Sequence, residues 1–150
     1  MSRRDADASG LRTVAPVLVG IVPFGLITGA AAVEADLSLA QALALSMAVF
    51  AGAAQLAAID LLGQDAPLAV VIGTALVINL RMLMYSASIA PSFAGFSRRA
   101  RAVVAYLLTD EAYALSVAAD HDDDAVRLRY YLGLAIPLWT VWVVCTAIGA

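Results

Sequence analysis

Five polar side chains lie inside stretches otherwise apolar enough for lipid: Gln55, Asn79, Arg81, Asp110 and Glu111. A cation near the middle of such a stretch costs roughly 2.5–3.5 kcal/mol on insertion scales. Arg81 therefore needs a carboxylate, several carbonyls or a water-filled cavity. Asp110 and Glu111 supply two acids where one is enough to neutralise it. The other is left to meet an ammonium group or to carry a proton, while Arg81 can meet a carboxylate, and together that chemistry suits a zwitterion. The alternative is a buried Arg–carboxylate pair that only locks helices together. Gln55 follows Gly52 among alanines, so its amide can be approached closely. An unsatisfied amide in hydrocarbon costs several kcal/mol, and its partner is a neighbouring backbone carbonyl, another helix or substrate. Asn79 and Arg81, two residues apart, point to nearly opposite sides of an ideal helix. Both meet polar surroundings only if that helix is broken or centrally buried.

The elements that must position these residues follow from composition. Of 150 residues 63% are hydrophobic and 14% charged, and the mean hydropathy is +0.88, outside the usage of soluble domains. The expected fold is all-α, a polytopic transmembrane helix bundle. A crossing helix takes about 20 mostly apolar residues, and five stretches qualify, near 13–33, 38–62, 67–91, 100–119 and 127–149. Residues 1–12 form a polar tail ahead of a transmembrane domain over 13–150. In a regular fourth helix Asp110 and Glu111 lie about nine residues, or about 14 Å, beyond Arg101. Tyr106, Asp110 and Tyr113 then share one face, which holds Asp110 ionised and leaves Glu111 as the proton carrier.

All nine basic residues are arginines, and arginine bias sets orientation. Five full spans obey the rule weakly, at five against three. A re-entrant second or third segment improves this to six against two, and the Gly and polar content of both segments allows it. In the first span Gly25 and Gly29 have small-xxx-small spacing and read as a packing face, with Pro16 and Pro23 as kink sites. Arg127, Arg129, Tyr130 and Tyr131 read as an interfacial anchor, and Asp60 as interfacial. The lone Cys145 reads as a small buried hydrophobe. The acidic loop "DHDDD" (120–124) holds the only histidine, His121, and reads as solvated rather than metal-binding. No Walker motif, dinucleotide fingerprint or Gly-x-Ser-x-Gly elbow is present. The expectation is no enzyme, no cofactor and no nucleic-acid partner, and a multi-pass protein of the cell membrane surrounded by lipid.

Four segments, "FGLITGAA" (24–31), "FAGAAQLAA" (50–58), "NLRMLMYSASIAP" (79–91) and "LLTDEAYAL" (107–115), resemble in order and spacing the large subunit of AzlC-type branched-chain amino acid exporters. The resemblance covers about residues 14 to 119. It implies export of small neutral aliphatic amino acids together with a small AzlD-like membrane subunit. The motif positions carry over as Gln55, Asn79, Arg81, Asp110 and Glu111, the expected substrate or ion pathway. Without a nucleotide site in this chain, coupling falls to an ion gradient or to a partner, with a proton on Asp110 or Glu111 the simplest form. A non-transporting structural or assembly subunit is the other reading.

Overall fold

The computed structural model describes residues 3–49, 51–119 and 123–150. Among these there are seven α-helices and no strand: α1 (Arg3–Glu34), α2 (Leu39–Val49), α3 (Gly52–Gly63), α4 (Leu68–Ile89), α5 (Arg98–Tyr106), α6 (Asp110–Ala118) and α7 (Asp124–Gly149). A 3-10 turn, Ala90–Phe93, extends α4. The all-α bundle expected from composition is therefore observed, but among the described residues three helices are long and apolar enough to cross a membrane: Asp5–Glu34, Leu68–Phe93 and Asp124–Gly149. The second and fourth apolar stretches are each broken in two.

Local chemistry sets most of the boundaries. α1 and α3 both end in a Schellman turn, with Leu37 N–H donating to Ala32 O and Ala66 N–H to Leu61 O. The left-handed residue that this turn needs is Asp36 in one case and Asp65 in the other, at φ 56° and 55°. Glycine is commonest there because it has no Cβ to clash, and a short polar side chain is the next best tolerated. α2 opens on a reciprocal capping box, in which Ser38 Oγ accepts from Gln41 N–H and Gln41 Oε1 accepts from Ser38 N–H. Ser97 caps α5, Thr109 caps α6 and Asp123 caps α7 through side-chain oxygens that accept from the first turn.

The described chain forms two compact units. The unit of Val19–Arg81 and Thr140–Ala150 holds the first broken stretch. At about 1.5 Å per residue, α2 and α3 with their 11 and 12 residues are each too short for about 30 Å of hydrocarbon. They fold back on one another. Ala42 of α2 packs on Ile59 of α3 together with Ala32 of α1, and four residues along, Ser46 meets Gln55. Advancing four positions on α2 thus retreats four on α3, an antiparallel register. Gly63, at the end of α3, comes back against Ala35, just before α2 begins. In the same unit α1 and α7 run parallel. A Cβ on Gly25 would fall 2.6 Å from Cys145 Cβ, and one on Gly29 would strike the Thr146 carbonyl. The glycine packing face read from the sequence is therefore real, and Cys145 is buried as expected.

The unit of Met1–Leu18 and Met82–Trp139 holds the second broken stretch. α5 and α6, nine residues each, also return to the end they left. Gly95 before α5 lies against Asp124 after α6, with a built Cβ 3.4 Å from the carboxylate. Arg127 Nη1 donates to Ser92 O at 3.1 Å. α6 packs on α4 through Tyr113, which stacks on Tyr85 at 4.3 Å and donates its hydroxyl to Ser88 Oγ at 3.0 Å. Tyr130 and Tyr131 are 5% and 0% exposed, which corrects the expectation of an interfacial aromatic anchor. Tyr131 donates its hydroxyl to Val104 O and packs edge-on against Phe93. Arg129 does sit at an exposed position, paired with Asp7 at 2.8 Å.

Candidate functional site

Gln55 is fully buried, one turn beyond the break between α2 and α3. Its Nε2 donates to Ser46 Oγ at 2.7 Å, and its Oε1 accepts from Trp142 Nε1 at 3.1 Å. An indole N–H can only donate, so it dictates which end of the amide faces α7 and which faces α2. Gly52 makes the approach possible, since a Cβ there would lie 2.9 Å from the edge of the Trp142 ring. Gly52 and Gln55, three apart, present one surface to one indole. Within the protein the amide's partners are two side chains rather than a backbone carbonyl. Ser46 and Trp142 were not among the residues singled out from the sequence. The Gly52-x-x-Gln55 spacing announced a close approach, but nothing in one dimension names the residue that approaches. One turn past Trp142, Thr146 is also fully buried, and its Oγ1 has no hydrogen-bond partner among the described residues.

Asn79 and Arg81 are both half-buried on α4, which runs unbroken through them. The apolar sector between them is open: Leu76, Val77, Leu80, Leu83 and Met84 are all more than half exposed. The helix is therefore neither broken nor centrally covered among the described residues, contrary to the condition read from the spacing. The Asn79 carboxamide oxygen is nonetheless buried and accepts no hydrogen bond there. Leaving such an acceptor unmet costs about 1–3 kcal/mol.

Asp110 and Glu111 do not lie within a continuous helix. Leu107 to Thr109 interrupt it, and Thr109, extended at φ −131° and ψ 171°, caps a new helix with Oγ1 accepting from Ala112 N–H at 3.2 Å. The two acids occupy the first turn of α6, where the helix's positive end favours negative charge. The distance from Arg101 projected along one helix, and the common face of Tyr106, Asp110 and Tyr113, both lapse with that break. Tyr106 accepts from Trp139 Nε1, and Tyr113 reaches Ser88. The preference for Glu111 over Asp110 as proton carrier rested on that face and goes with it. Gln55, Asn79 and Arg81 belong to one compact unit, Asp110 and Glu111 to the other. Of the acidic loop, Asp120, His121 and Asp122 lie outside the described residues, and Asp124 pairs with Arg127.

The sequence model of a family described as AzlC protein matches residues 16–150. The chain belongs to the AzlC family. A relative from Archaeoglobus fulgidus, named only as an uncharacterized membrane protein, is 32% identical over 149 residues. That alignment takes in 99% of this chain and 64% of the relative, so the chain spans less than two thirds of its relative's length. No solved structure matches. Membership places this chain in a membrane-protein family linked to amino-acid transport. It also gives the two helix breaks a setting, because irregular backbone at membrane depth is tolerated where protein covers it or where it lines a cavity.

Proposed function

We propose that this AzlC-family chain is a multi-pass transporter subunit of the cell membrane. It exports branched-chain or other small neutral amino acids, driven by an ion gradient, together with a small AzlD-like membrane partner. The observation that carries this reading is the pair of antiparallel helical hairpins, each interrupted beside polar groups: Gln55 with Ser46 and Trp142 in one, Thr109, Asp110 and Glu111 in the other. Discontinuous helices in corresponding positions of two repeats are how many transporters build a substrate site. The element order supports such a repeat. A long helix, a broken pair and a long helix run from α1 to α4, and again from α4 to α7.

In this proposal α1, α4 and α7 cross, and both broken pairs are re-entrant. The arginine distribution then becomes one-sided. Arg3, Arg4, Arg12, Arg98, Arg99, Arg101, Arg127 and Arg129 all lie on the segments of one unit. The connections over 35–38 and 64–67 carry none. By the positive-inside rule the N-terminal tail and the connections flanking α5 and α6 are cytoplasmic. Arg81 is the proposed group for the substrate carboxylate, and Asp110 or Glu111 for the coupling proton.

The test is efflux of preloaded labelled L-valine from cells that express this chain with its small partner. Faster efflux, abolished by a protonophore, is the expected result. Arg81→Gln should remain at normal abundance in the membrane and lose that efflux. The full burial of Gln55 favours the second reading, an assembly subunit. Under that reading no variant or partner yields efflux, and Arg81→Gln lowers abundance instead.

A further inference from the structure

Where α4 ends, α6 ends and α7 begins, one unit encloses a cavity of about 350 Å³, near the lower limit of small-molecule pockets. Ser88, Ser92, Ser116 and Arg127 line it with polar groups, beside Tyr130 and Tyr131, the latter with its hydroxyl already given to Val104 O; Ile89, Phe93 and Val117 supply an apolar wall. The hydroxyls are directed. Ser88 Oγ accepts from the Tyr113 hydroxyl, which leaves its own proton to donate. Ser116 gives its proton to Tyr113 O at 3.0 Å, which leaves its lone pairs as acceptors. Arg127 is held at the rim by Ser92 O and Asp124, and its guanidinium carries five N–H donors in a planar fork suited to a carboxylate.

The geometry points to a capture site here for a zwitterionic aliphatic amino acid, distinct from the residues around Arg81. The carboxylate takes Arg127 and the Ser88 hydroxyl, competing with Asp124 for the guanidinium. The ammonium takes Ser116 Oγ, and the branched side chain lies on Ile89, Phe93 and Val117. One small cavity thus offers a cation, a donor, an acceptor and an apolar surface, as a substrate of that form requires. The site deepens the exporter reading and rests on it for its role: it lies where α6 ends and α7 begins, the end which that reading makes cytoplasmic and where an exporter loads.

The experiment uses the full-length protein with its partner in membranes. Cys145→Ala removes the lone thiol, and Ser92→Cys places one at the cavity for a membrane-impermeant maleimide. Labelling should proceed from the cytoplasmic side. Saturating L-valine should slow it about tenfold, whereas valinamide, which lacks the carboxylate, and isovalerate, which lacks the ammonium, should not. Arg127→Gln should abolish the protection. If that variant fails to fold, Ser116→Ala, which removes only an acceptor, should weaken protection several-fold. Unchanged labelling in valine, or equal protection by valinamide or isovalerate, would overturn the site. Protection by inorganic phosphate or anionic lipid alone would make it a headgroup site and overturn it too. Valine protection without cellular efflux keeps the site and refutes the exporter reading, and efflux without protection does the reverse.

Discussion

Trp142→Phe removes the indole N–H that bonds Gln55 Oε1 and, with it, the outer ring edge that lies on Gly52, so its cost has a packing share that only a double-mutant cycle with Gln55 separates from the bond. A buried acceptor left unmet costs about 1–3 kcal/mol. Gln55→Leu removes the amide, orphaning the indole N–H and the Ser46 hydroxyl together. Ser46 loses only a donor to its oxygen and keeps its proton for the carbonyl four residues back on α2, so the loss is dominated by the indole and falls in the same range. In the double variant neither end of the bond remains, and its cost should be less than the sum of the single costs. Interhelical hydrogen bonds measured by such cycles in membrane proteins average about 0.6 kcal/mol and reach about 1.7 kcal/mol. The coupling here should lie in the upper half of that range because both partners are enclosed, Gln55 at 0% and Trp142 at 6% exposure. The assay is reversible unfolding of the four proteins in one detergent or bilayer mimic. Additivity within about 0.3 kcal/mol would refute the claim that Trp142 orients the Gln55 amide.

Three further outcomes are expected. Arg81→Leu and Asp110→Asn should each abolish L-valine efflux, and if the two side chains pair, their double variant should be more stable than either single variant; additive losses for Asp110 and for Glu111 alike would reject the pairing. Thr109→Ala removes the cap on α6 and should cost about 1 kcal/mol, largely restored by Thr109→Ser; equal loss in both would mean that the hydroxyl is not the cap. Single cysteines at Ser38 and Ser97 in a Cys145→Ala background should label from opposite sides of the membrane, with Ser97 cytoplasmic, and labelling from one side only would contradict three crossings.

Much of this chain is legible in one dimension, and the parts that are not have identifiable causes. The Schellman turns at Asp36 and Asp65 and the capping box at Ser38 obey local rules. The start of α6 was equally readable: Thr109 followed by two acids is a helix-start pattern, yet the acids draw the eye as charges and the threonine is passed over. Hydropathy cannot reveal the hairpins, because a helix that crosses and a pair that turns back both bury apolar side chains of the same mean hydropathy. Neither break carries a proline. Ala51 is merely extended, and Leu107 to Thr109 contain no residue that forbids a helix. The register of Ala42 on Ile59 and Ser46 on Gln55, which favours the return, is a non-local contact.

Composition alone determined that this chain lives in a membrane and is helical, since 63% hydrophobic residues leave no other solvent for it. The same residues singled out Arg81, Gln55 and the 110–111 acids, because a polar group in lipid is too costly to be there without a partner. Who that partner is, and which stretches cross, was left to tertiary structure. Only the folded chain seats an indole from α7 on Gly52, turns Asp110 and Glu111 into the first turn of a separate helix, and gathers three serines and Arg127 around a cavity. Each of these depends on residues distant in sequence meeting at a fixed angle, and hydropathy and local propensity carry no term for that.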